Sequence, residues 1–115
     1  MQVVDERNRI TLEELRKMAG NMFGDLVKAV VDVTQNTMAV DAELHADEET
    51  LLIERGSNQK DLWGINLYPE LAGEEFVEFD SMINLRPSQG NRSRRVEDPV
   101  LRERIRDIVM HLVIE

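Results

Sequence analysis

Residues 86–95 read RPSQGNRSRR and hold four arginines within ten positions. Gly90 and Asn91 tolerate left-handed backbone, so the chain can turn sharply between the arginines. The N–H groups of such a turn can form an anion-binding nest. Ser88 and Ser93 add hydroxyl donors, and Arg86, Arg92, Arg94 and Arg95 add forked guanidinium donors that match phosphate or carboxylate. The chemistry this spacing points to is capture of an anionic small molecule. The competing reading is structural, because the chain has 23 acidic residues with which these arginines can pair.

A second set of residues comes from strand alternation. Strand-like stretches place Lys28 and Asp32, then Asp41, Glu43 and His45, then Asn66 and Tyr68, then Glu78, Asp80, Asn84 and Arg86 on their polar sides. His45 and Asp80 are the candidate acid/base residues. Asn66, Asn84, Arg86, Ser88, Asn91, Arg92 and Arg94 are the candidate ligand-binding residues. Asp41 and Glu43, two apart and followed by His45, carry ligand types that suit a divalent metal such as Zn²⁺ or Mn²⁺, although the spacing matches no recognised metal motif. Against all of these stands a plain alternative. A sheet covered on one side leaves a polar face in water. Asp and Asn are nevertheless poor strand formers, so something other than β-propensity selects Asp32, Asp41, Asn66, Asp80 and Asn84. For Asp47 the competing role is a helix cap.

No nucleotide-binding glycine motif and no G-x-S-x-G elbow is present. The absence of cysteine removes disulfides, thiolate metal sites and cysteine catalysis.

The elements that must position these residues follow from periodicity. Thr11 and Glu14 form a capping box ahead of a helix over about 12–22, with Leu12, Leu15, Met18, Ala19 and Met22 at helical spacing and Gly24 as its stop. Residues 25–33 and 37–44 are rich in β-branched side chains and predict a hairpin. Asp47 caps a short helix that Gly56 ends. Residues 62–69 predict a strand closed by Pro69, with Trp63, Ile65 and Leu67 on its buried side. Residues 76–87 predict one long strand, or two with a bend near Ser81. Asp98-Pro99 opens a last helix whose buried stripe is Leu101, Ile105, Ile108 and Leu112. With a short strand near 2–6, the order is β-α-β-β-α-β-β-α. The expected fold is α+β: a mainly antiparallel sheet of four to five strands with helices packed on one face, in one domain spanning 1–115.

Net charge is −9, with 18 acids against 7 bases in residues 1–85 and 5 acids against 7 arginines in residues 86–115. The acidic body argues against nucleic acid as a partner, since phosphates require a basic surface. Its contrast with the basic tail makes a homo-oligomer or another protein-interaction role the alternative to ligand binding. No apolar run suits a signal peptide or a membrane span, so the expected location is the cytoplasm.

The stretches MFGDLVKAVVDV, MAVDAELHADEE, QKDLWGINLYPE and FDSMINLRPSQGNRSR together resemble a small prokaryotic family classified only as a domain of unknown function. The resemblance runs from the first helix to the last. It implies a small cytosolic protein and no particular activity, cofactor or catalytic residue.

Overall fold

The computed structural model describes residues 1–115. Five strands form one antiparallel sheet: β1 (Gln2–Val4), β3 (Val27–Asp32), β4 (Thr37–Val40), β5 (Leu62–Leu67) and β6 (Val77–Glu78), in the spatial order β1-β4-β3-β5-β6. Two further strands, β2 (Ile10–Thr11) and β7 (Val113–Ile114), make a small parallel pair that ties the start of the chain to its end. The helices are α1 (Leu12–Asn21), α2 (His45–Glu54) and α3 (Pro99–Leu112). The fold is mixed α+β, as its periodicities indicated.

Helix α1 begins with the complete capping box: Thr11 Oγ1 accepts the Glu14 N–H at 3.0 Å, and Glu14 Oε1 accepts the Thr11 N–H at 3.4 Å. Asp98 caps α3 by accepting the Val100 N–H at 2.9 Å, with Pro99 in the first turn. Both helices lie on one face of the sheet. There Leu15 and Ala19 of α1, and Ile105, Ile108, Val109 and Leu112 of α3, meet Ala29, Val31, Met38, Val40, Trp63, Ile65 and Leu67. Each large apolar side chain removed from water in this layer stabilises the fold by about 1.5–3 kcal/mol.

Helix α2 takes the other face. Its Leu52 packs on Val30, Ala39 and Leu62, with Val3, Leu51 and Ile83 around them. The second face of the sheet is therefore not simply left to water. α2 and the turn at 82–84 cover it, and a central strand with cover on both sides is buried throughout, as β5 is.

Three local expectations give way. The strand expected over 37–44 ends at Val40, because Asp41 adopts φ 70° and turns the chain out of the sheet. Helix α2 starts at His45 with Leu44 as its N-cap and no side-chain capping bond, so Asp47 lies inside the first turn and does not cap it. Of the strand expected over 76–87 only Val77–Glu78 is regular. The remainder is pinned by isolated bridges, Asp80 to Arg95 and Arg86 to Asn91, around a tight turn at Met82–Asn84.

Candidate functional site

Strand β6 pairs with β5 only at Asn66 and Leu67, so the edge of β5 from Leu62 to Ile65 has no strand beside it. Side chains of the 81–97 segment fill that edge. Asn84 presents its carboxamide as a substitute peptide group: Gly64 N–H donates to Oδ1 at 2.8 Å, and Nδ2 donates to the Gly64 carbonyl at 2.9 Å. Nδ2 also reaches the Arg94 carbonyl at 3.0 Å. Arg86 extends the cover. Its Nε donates to the Ile83 carbonyl at 2.9 Å and its Nη2 to the Leu62 carbonyl, while its guanidinium lies 4.8 Å from the Trp63 ring centroid. Glu49 of α2 pairs with it at 3.4 Å. Burial lowers the basicity of Arg86, and Glu49 opposes that shift.

Asn91 holds the basic loop shut. Its Nδ2 faces the carbonyls of Asn84 and Arg95 at 2.7 Å each and that of Ser93 at 3.1 Å, and its Oδ1 accepts the Glu97 N–H at 2.9 Å. Gly90, at φ 80°, supplies the left-handed turn before it. Arg86, Asn84 and Asn91 are thus committed to backbone groups. Ser88 and Arg92 are exposed, and neither side chain makes a hydrogen bond or ion pair within the chain.

The same logic accounts for Asp32. It is fully buried, its Oδ1 accepts the N–H groups of Thr34 and Gln35 at 2.9 Å, and its Oδ2 accepts the Ser57 hydroxyl at 2.6 Å. Aspartate is unusual in a strand, and here it organises the hairpin turn.

His45, Asn66 and Asp80 do come together. Lys28, Asn66 and Glu78 form one row across β3, β5 and β6. Asn66 Nδ2 donates to Glu78 Oε1 at 2.9 Å and to the Asp80 carbonyl at 3.3 Å. His45, at the start of α2, lies over this row with Nε2 2.7 Å from the Ile65 carbonyl. A carbonyl can only accept, so Nε2 carries the proton. Burial holds the imidazole below its usual range and outweighs the opposing hydrogen bond to Ile65. Lys28 adds to the lowering, while Asp80 and Asn66 oppose it. Tyr68 donates to Glu78 Oε1 at 3.0 Å. Its phenol is pushed up to about 12, first by burial and then by that carboxylate.

Asp80 is tied to Arg94, with Nε to Oδ1 at 2.9 Å. Both side chains are about half exposed, so Asp80→Asn is expected to change stability by less than about 1 kcal/mol. Chemical denaturation of the two proteins checks this.

Asp41 and Glu43 do not share a strand face with His45, because β4 ends before them and His45 belongs to α2. No group of three or more His, Asp or Glu side chains is placed to hold a metal ion. The alternation that suggested the metal site is therefore missing.

A concave surface lies beside this cluster. Glu74, Glu75, Glu78 and Asp80 line it together with Ser93, Arg94, Arg95 and Arg106, and with Val77 and Phe79, around a cavity of about 740 Å³. The Arg106 guanidinium lies 5.0 Å from the Phe79 ring centroid. Its buried Nε has no hydrogen-bond partner. Arg95 likewise has no carboxylate within ion-pair distance. A larger cleft, about 1230 Å³, runs between residues 5–7 and α3. Arg104 is already engaged there, donating to the Val33 carbonyl at 2.8 Å, and His111 Nε2 accepts from Arg9 Nη2 at 3.0 Å.

Sequence reasoning missed Arg106 and Glu48. Arg106 gives no signal in a one-dimensional pattern, since it neighbours the buried stripe of α3 without belonging to it. Glu48 does give one: His45, Glu48 and Leu52 recur at helical spacing on a single face, and all three are buried.

No helix is long and apolar enough to cross a membrane. No curated protein and no solved structure matches the chain. A family model described as "Protein of unknown function (DUF5674)" matches residues 3–112, and with nearly its whole length covered the chain belongs to that family.

Proposed function

We propose that the chain is a binding module for a small anionic molecule carrying a phosphate or carboxylate, held by the arginines of the 740 Å³ groove. The observation that carries this reading is the pair of guanidinium groups, Arg95 and Arg106, that line one groove without an acidic partner. Arg106 is pre-oriented by its stacking on Phe79, which reduces the side-chain entropy lost on binding. Arg94 stands beside them and can exchange Asp80 for a ligand at small cost, because an exposed ion pair is weak. The acidic lining residues Glu74, Glu75 and Glu78 disfavour highly charged polyanions and suit a ligand of modest charge. Arg86, Asn84 and Asn91 support the site by fixing segment 80–97 against β5. No catalytic step is proposed for His45 or Asp80, and no metal for Asp41 and Glu43.

The test is a thermal-shift and calorimetric series with inorganic phosphate, sugar phosphates, nucleotides and small dicarboxylates. One class should raise the melting temperature of wild type, since a ligand that binds only the folded state stabilises it. Arg106→Gln is expected to weaken that binding at least tenfold, because it removes a charge-assisted donor. If no class binds, or if Arg106→Gln and Arg95→Gln bind as wild type does, the reading is wrong.

A further inference from the structure

Glu48 sits in the first turn of α2 with no exposed surface. One carboxyl oxygen, Oε2, accepts the Ala42 N–H at 3.1 Å, and the other has no hydrogen-bond partner. No cation lies within ion-pair distance of it. A carboxylate in that position would be a buried charge lacking a counter-ion, which folded proteins avoid by keeping the proton. The neighbouring charges are few and mixed. Lys28 of β3 and the amino terminus ahead of β1 favour ionisation, and Asp41 in the loop after β4 opposes it. Neither β4 nor the turn at 82–84 contributes a charged side chain to the face of α2. Asp32 of β3 is occupied by Ser57 and its own turn, and Glu49 by Arg86.

We propose that α2 is a proton-locked flap: it docks on the sheet only with Glu48 in the uncharged acid form, and when it lifts, Glu48 ionises and the Lys28–Asn66–Glu78 row is uncovered. This inference does not depend on the anion-binding groove. The electrostatics agree with the geometry, since burial pushes the Glu48 carboxyl up to about 10 against an ordinary value of 4.5.

The sign follows from the proton count. Between those two values the docked state holds one more proton than the lifted state, so raising pH favours lifting. Docking strength is fully present below about pH 4.5 and declines tenfold in equilibrium constant per pH unit as pH rises towards 10. His45 acts in the opposite sense. Its folded-state basicity is lowered, so docking weakens as pH falls below 6.5. Just below 6.5 the two effects oppose each other, and above 6.5 the Glu48 effect stands alone.

Amide hydrogen exchange across 45–54 tests this, with rates corrected for the intrinsic pH dependence of exchange. In wild type the opening constant of α2 is expected to rise about tenfold per unit from pH 7 to pH 9, with β3 and β5 amides unchanged. Glu48→Gln keeps the size of the side chain and cannot ionise, so its α2 should open with no pH dependence over that range. Equal slopes in the two proteins, or a wild-type slope of zero, would overturn the proposal. Should Glu48→Gln fail to fold, the Glu48 carboxyl carbon can be followed by NMR in wild type. A carboxyl still protonated at pH 8 supports the lock, and one titrating in the ordinary range near 4.5 refutes it.

Discussion

Asn84→Ala is expected to destabilise the protein by about 3–5 kcal/mol, measured by urea denaturation at neutral pH. The side chain is fully buried and makes three hydrogen bonds, all to backbone groups. Its removal leaves the Gly64 N–H, the Gly64 carbonyl and the Arg94 carbonyl without those partners. Each buried backbone group that loses its partner costs roughly 1–3 kcal/mol. Against a typical total of about 5–15 kcal/mol this is a large share. Asn84→Asp is a sharper control. It keeps the shape and the acceptor for Gly64 N–H, but sets a carboxylate oxygen against the Gly64 carbonyl. It should therefore be at least as damaging as alanine at neutral pH, and partly rescued when the carboxyl is protonated in acid.

Gly64→Ala is the second large effect, expected to cost about 3 kcal/mol or more. A β-carbon on Gly64 would lie 2.5 Å from the Ser81 β-carbon, 2.6 Å from its hydroxyl oxygen and 3.1 Å from Ile83 Cγ1. The neighbour cannot easily give way. Ser81 is buried, its N–H donates to the Arg94 carbonyl at 3.0 Å, and its hydroxyl oxygen accepts the Ile83 N–H. Relief of the clash requires the 81–84 segment to move off β5, which also breaks the Asn84 bonds. Overpacking alone costs about 1–3 kcal/mol, and the broken bonds add to it. Because both substitutions undo one docking event, the double variant should be markedly less destabilised than the sum of the two singles. Additivity in that cycle would mean that Asn84 and Gly64 act separately.

The two effects explain why some of the molecule was legible in its sequence and some was not. The capping box at Thr11, the Asp98-Pro99 helix start and the apolar stripe of α3 rest on neighbouring residues, so a one-dimensional pattern contains them. The alternation of 27–32 and 62–67 likewise gave the two central strands and the buried side of Trp63. Segment 76–97 was different. Its conformation is set by what lies across from it: a strand edge that β6 leaves unpaired, and a glycine that lets Ser81 come close. The anomaly of Asp and Asn in strand-like stretches was a real signal. Asp32 and Asn84 have polar environments that require them, but their partners are backbone groups and a serine hydroxyl, with the turn at 33–35 and the bare edge of β5 setting their roles.

The candidate site shows the same division. His45, Asn66 and Asp80 were placed together by strand alternation and do lie close, though His45 arrives from a helix. The residue types of Arg86 and Asn91 suit ligand donors, yet both are occupied in holding the loop. Arg106 enters the groove from α3, outside the basic loop itself. Its relation to Phe79 exists only in three dimensions.

The most direct measurement is an NMR titration of ¹⁵N-labelled protein with inorganic phosphate and with a small dicarboxylate, following arginine Nε–H and backbone amide signals. The proposed function predicts saturable shifts at Arg95 and Arg106 and at the 93–95 amides, lost in Arg106→Gln. Shifts confined to the cleft between residues 5–7 and α3, or no saturable shift with either anion, would contradict it.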